Sequence, residues 1–117
     1  GQVLDAVAQV MFVGCADNAT LVTVDLTTKT VIDHQQVGDD PDVLAYDPAR
    51  HRIYVAAESG WISIAEHDHG HLRARGSVHV ADGAHTLAVD PATGHTFLPI
   101  ADAGHGTPQL WEYTPTN

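Results

Sequence analysis

The stretch "DPDVLAYDPARHRIYV" (residues 40–55) returns 43 residues later as "GAHTLAVDPATGHTFL" (residues 83–98), a worn copy of the first. With Asp47 set on Asp90, Leu44 falls on Leu87, Ala45 on Ala88, Pro48 on Pro91, Ala49 on Ala92, Tyr54 on Phe97 and Val55 on Leu98. A step of 42 residues towards the N-terminus sets Asp5 on Asp47, Met11 on Ile53, Phe12 on Tyr54 and Val13 on Val55, so the opening "VLDAVAQVMFVG" is a third copy. A period of this length marks a repeat architecture, in which each copy is one supersecondary unit that buries its apolar faces against its neighbours.

Within each unit the apolar residues alternate with period two between short breaks, the pattern of strands and hairpins, and no segment carries helical periodicity. The first unit reads "QVMFVGC", "TLVTVDL" and "TVIDHQQV"; the second reads "RIYVAA", "WISIAEH" and "HLRARGSVHV"; the third gives "LAVDP", "HTFLPIA" and "PQLWEYT". Asp-Pro, Gly and Asn stand at the breaks, where turn geometry needs them. Four short antiparallel strands in about 43 residues make one β-propeller blade. The expected fold is therefore all-β, with blades at about residues 1–42, 43–85 and 86–117, the last lacking its outermost strand. The repeated "LAYDP" and "LAVDP" are the innermost strands. Leu44 and Tyr46, or Leu87 and Val89, then share one sheet face, and Ala45 or Ala88 packs on the other.

The phrases "PDVLAYDPARHRIYVAAESG", "AHTLAVDPATGHTFLPIAD" and "LVTVDLTTKTVI" resemble the YVTN-type, or YncE-like, β-propeller repeat family, and the resemblance runs from about Val3 to Tyr113. It implies a ring, commonly of seven blades, and a periplasmic or extracellular location, although no signal peptide opens this chain. The resemblance specifies the repeat strongly and function weakly.

Fewer than three blades cannot close a ring. Both flanking sheet faces and the strand "PQLWEYT" are left without partners, exposing apolar surface and unpaired backbone groups. Either copies of the chain associate through heterologous contacts, or the remaining blades belong to a longer propeller. Trp111 and Tyr113 are the expected interface anchors, since buried aromatics often carry interfaces. Trp61, Tyr54 and Phe97 read as packing between blades.

Fifteen acidic against five basic side chains give a formal charge of −10, which disfavours nucleic acid and anionic membrane surfaces as partners. The nine histidines would nearly neutralise that charge if all were protonated, so solubility and assembly should respond to pH. The single cysteine, Cys15, excludes an intrachain disulfide and aligns with Ala57, which reads as a small buried residue.

His85 is the first candidate for function. It enters the innermost strand of its blade at the channel mouth, and the 43-residue period sets it on Asp42 of the preceding blade. Two titratable groups there can hold a cation or a polar ligand, or exchange protons; the competing reading is a hydrogen bond to the neighbouring blade's backbone. No cofactor is required, and a divalent metal at His85 is the one these residues admit. In "HDHGH", His67, His69 and His71 alternate as strand neighbours would, yet the run aligns with the hairpin turn "DLTTK", so metal binding there is expected to be adventitious. Gly70 is expected to supply a positive φ in that turn.

"DAGHGT" sets His105 and Asp102 on a loop where Gly104 and Gly106 serve geometry rather than phosphate binding. Asp39, Asp40 and Asp42 in "GDDPD" lack the spacing of a calcium loop and read as a solvated turn. Ser59, Ser63 and Ser77 have no nucleophile elbow. Two function classes follow. One is a non-catalytic binding or scaffold module with its ligand, a small molecule or protein, at the channel mouth; the other is a metal-assisted lactonase or lyase acting through His85.

Overall fold

The computed structural model describes residues 1–116. Eleven strands form three antiparallel sheets. The first contains β1 (Gln2–Asp5), β2 (Val10–Cys15), β3 (Thr20–Asp25) and β4 (Thr30–Gln36), paired in chain order. The second contains β5 (Pro41–Asp47), β6 (Arg52–Ala57), β7 (Trp61–Asp68) and β8 (His71–His79) in the same order. The third has β9 (Ala88–Val89), β10 (Thr96–Ile100) and β11 (Gln109–Tyr113). The innermost strands lie side by side, β1 against β5 and β5 against β9, so the sheets stack as successive β-propeller blades without closing a ring. The second sheet begins at Pro41 and the third at Ala88. The only helical turn among the described residues is a 3-10 turn at Ala16–Asn18.

The aspartate that recurs in every copy has one local role. Asp5 Oδ1 accepts the N–H of Val7 at 3.1 Å, Asp47 Oδ1 that of Ala49 at 3.1 Å, and Asp90 Oδ1 that of Ala92 at 2.9 Å. Each closes an Asx turn out of the innermost strand, a conformation in which a short carboxylate side chain stands in for backbone.

Two apolar clusters hold the blades together. Val10, Phe12 and Leu21 of the first sheet meet Leu44, Ile53, Val55 and Ala65 of the second, with Tyr46 packed alongside. Ala45, Tyr54, Ala56 and Ile62 on the opposite face of the second sheet meet Leu87, Leu98 and Ile100 of the third. The faces of β5 therefore divide as its alternation predicts, Leu44 and Tyr46 one way and Ala45 the other.

Repeat equivalence carries this sidedness to the two ends. Leu4, Met11, Val24 and Val31 are cross-strand partners on the free face of the first blade, where Leu4 is 55% and Val31 63% exposed. Pro99 and Leu110 are partners on the free face of the third blade, with Leu110 65% exposed. Cys15 lies two residues after Val13 on that first free face and is half-buried, whereas Ala57, its equivalent in the second blade, is fully buried. The expectation of a buried cysteine is corrected for that reason: no blade covers it.

Candidate site at the rim between the second and third blades

The N-terminal ends of the innermost strands form one rim of the stack. Asp42 stands at the start of β5, Glu58 in the turn between β6 and β7, and His85 in the linker that enters β9. Backbone hydrogen bonds tie these three segments together. Glu58 N–H donates to the Asp40 carbonyl at 2.9 Å, and Gly83 N–H donates to the Glu58 carbonyl at 3.3 Å. Val80 N–H donates to the Gly60 carbonyl at 2.9 Å. Gly60 has φ +89°, and a Cβ there would collide with the Ala81 carbonyl, so only glycine lets the linker lie against the turn.

On this frame the His85 imidazole meets the Asp42 carboxylate at 2.6 Å, Nδ1 to Oδ2, with Nδ1–H as donor. Ligand atoms of Asp42, Glu58 and His85 all lie within 4.8 Å of one another. Both members of the pair are accessible, their side chains 46% and 43% exposed, so a ligand can reach them without opening the core. His85 thus bonds a side chain of the neighbouring blade rather than its backbone. Sequence reasoning missed Glu58. Its position in the "ESG" turn has no acidic counterpart in the other copies, so the repeat gave no signal for it.

The "HDHGH" run is placed otherwise than expected. The β7–β8 turn has two residues, His69 and Gly70, with φ +51° and +90°, the mirror-image turn that suits hairpins. His67 is therefore a strand residue and is buried, while His69 and His71 are exposed. The picture of three exposed turn histidines is corrected: His67 faces the first blade, away from solvent, and the set does not converge.

His67 instead completes a polar network across the first junction. Tyr46 Oη–H donates to Asp5 Oδ2 at 2.7 Å, and His67 Nε2 lies 3.0 Å from that oxygen and 2.8 Å from Tyr46 Oη. Gly70 N–H donates to His67 Nδ1 at 3.0 Å. Nδ1 therefore keeps its lone pair, Nε2 carries the proton, and the ring is the neutral Nε2–H tautomer. Burial pushes the His67 pKa down against the pull of Asp5. Burial raises Tyr46 as well, with the Asp5 carboxylate adding to it. At Asp5, burial is outweighed by hydrogen bonds from Ala8, Tyr46 and His67, which hold the carboxyl below its ordinary value. These groups are neutral, neutral and anionic at pH 7. They fasten the first blade to the second.

The remaining candidates are structural in their contacts. Trp111 packs into the cluster between the second and third blades, and Tyr113, 46% exposed, lines a groove of the same junction; Phe97 and Leu110 take the free face instead. Tyr54 is buried in that cluster, whereas Trp61, expected between blades, is 41% exposed and stacks edge-on against His79. Asp102 Oδ1 accepts the N–H groups of Gly104 and Gly106, each at 2.9 Å, leaving His105 exposed on the loop. Asp39 and Asp40 are exposed beside Asp42. Ser63 is buried and accepts the Gly38 N–H, Ser59 donates to the Asp39 carbonyl, and Ser77 is exposed.

No protein-family model and no curated protein matches the sequence. Solved structures do. The chain is similar to the β-propeller domain of Myceliophteria thermophila Swd1, at 12% identity over 97% of this chain and 38% of that one, with a TM-score of 0.74. It is similar to the dihydro-heme d1 dehydrogenase NirN in complex with DHE, at 13% identity over 96% and 23% of the two chains and a TM-score of 0.75. A chain of the nidogen/laminin complex matches at 18% identity over 95% and 42%, with a TM-score of 0.67. The present chain spans less than half the length of each. What these likenesses establish is the fold: successive blades of a β-propeller.

Proposed function

We propose that this chain is a propeller segment of a non-catalytic binding or scaffold module, of the YVTN/YncE-like type its repeat resembles, with a small polar or cationic ligand held at the rim by His85 and Asp42. The observation that carries this reading is the exposed 2.6 Å His85–Asp42 contact, made across the linker between two blades and not needed by either core. Two carboxylates and an imidazole at one mouth favour positive charge or hydrogen-bond donors. Further blades, from other copies or from the rest of a longer propeller, complete the ring. The free faces support this, because they are repeat equivalents of the faces that pair internally. A location outside the cytoplasm belongs to the same reading.

A nuclear magnetic resonance titration with small polar compounds and short basic peptides tests it. Saturable shifts should cluster at residues 42, 58 and 83–86 and vanish in His85→Ala and Asp42→Ala; shifts that survive both substitutions overturn the reading. The alternative, a metal-assisted hydrolase or lyase acting through His85, is favoured by the two carboxylates beside that ring. It requires metal-dependent turnover of a lactone or related ester that His85→Ala abolishes.

A further inference from the structure

We infer that the rim site is a one-histidine, two-carboxylate site for a first-row divalent cation of the zinc type, in which Glu58 is the third ligand and the metal staples the inter-blade linker to the second blade. The inference rests on the rim reading above and goes beyond it by naming the ligand class and a residue that the repeat does not predict.

Three features carry it. The donor set is mixed: an imidazole nitrogen with two carboxylate oxygens suits zinc or manganese, whereas calcium and magnesium select oxygen alone. The donors converge from three separate segments, residues 42, 58 and 85, and their ligand atoms already lie within 4.8 Å of one another. Zinc–ligand bonds of about 2.0–2.2 Å hold tetrahedral ligand atoms a little over 3 Å apart, so small rotations of exposed side chains close the site. Three protein donors also leave a fourth position open, for water or for the polar ligand itself. The segments are fixed before metal arrives, because the backbone bonds from Glu58 to Asp40 and from Gly83 to Glu58 hold the turn and the linker together.

In the metal-free site His85 Nδ1–H donates to Asp42. A neutral ring offers Nδ1 to the metal by carrying its proton on Nε2 instead, with no net release, whereas a protonated ring must first give one proton to solvent. Acid therefore opposes binding.

The test is titration of the 117-residue chain with zinc chloride by isothermal calorimetry, with thermal melts of each variant to verify folding. The expected result is one equivalent bound, a melting temperature that rises with metal concentration, an affinity weakened about tenfold or more in Glu58→Gln, and no stoichiometric binding in His85→Ala. The double variant His69→Ala/His71→Ala, which removes the exposed histidines of the β7–β8 hairpin, should bind as the parent does. Loss of binding in the hairpin variant, or parent-like affinity in Glu58→Gln, overturns the inference, as does the absence of stoichiometric binding. In that last case the rim reading still stands if the resonance titration shows His85-dependent shifts, so the two failures are distinguishable.

Discussion

The two blade junctions of this chain use the same repeat for different ends. Between the first and second blades the polar groups engage one another: the buried Asp5 and His67 and the partly buried Tyr46 share hydrogen bonds, with Gly70 N–H donating to His67 Nδ1. Between the second and third blades the apolar cluster holds the sheets, and the rim groups His85 and Asp42 stand exposed with only each other as partners. A buried, saturated network specifies how two surfaces fit. An accessible, undersaturated pair has donors and acceptors to offer a third party. The contrast separates histidines that hold the fold from those that can bind, a distinction invisible to residue type alone.

Breaking the first junction should have the largest effect. Phe12 is fully buried against Tyr46 and His67, and Phe12→Ala should destabilise the chain by about 3–5 kcal/mol in urea unfolding. Asp5→Ala should cost about 2–3 kcal/mol, since it removes the carboxylate that accepts from the partly buried Tyr46 hydroxyl and from the buried His67 N–H, and removes the Asx turn. A loss below about 0.5 kcal/mol for Asp5→Ala would mean the network is incidental to the junction.

Acid sharpens the same comparison. The folded pKa of His67 lies below its ordinary 6.5, so between that folded value and 6.5 the unfolded chain binds more protons than the native one. His67 thus contributes stability that is fully present above pH 6.5 and is lost as pH falls through its folded pKa, with a slope of up to about 1.4 kcal/mol per pH unit. Asp5, also lowered, adds a further loss only at still lower pH, below its ordinary 3.8. Protonating His67 sets a new N–H against the Gly70 N–H, which is the physical reason for the sign. Stability curves of the parent and His67→Asn should therefore differ in slope by one proton below pH 6.5; parallel curves would assign the acid response to the exposed histidines.

The smallest effect belongs to the rim of the second junction. Both residues of the His85–Asp42 pair are accessible, and exposed ion pairs contribute little. His85→Ala and Asp42→Ala should each leave unfolding free energy within about 0.5 kcal/mol of the parent, and a larger loss would make the pair a structural clasp.

How far the sequence carries can be judged at these residues. The blades are legible because Asp5, Asp47 and Asp90 must each close the same Asx turn, and the encounter of His85 with Asp42 is legible because one period separates equivalent rim positions. Glu58 is not, since single residues outside the repeat carry no register. Nor is the burial of His67: setting "HDHGH" on "DLTTK" assumes equal turns, whereas the positive φ of both His69 and Gly70 tightens the hairpin and draws His67 into the strand. Tyr46, standing where the third copy has Val89, was the one visible hint that this junction needs a polar partner.

The most direct test is a histidine-ring nitrogen–proton correlation spectrum at pH 7, recorded before and after one equivalent of zinc chloride. The account predicts that His67 appears as the neutral Nε2–H tautomer and is unmoved by zinc, while the His85 signals shift or broaden. A His67 ring that exchanges between tautomers or responds to the metal, with His85 unchanged, would contradict the division between a sealed junction and an open rim.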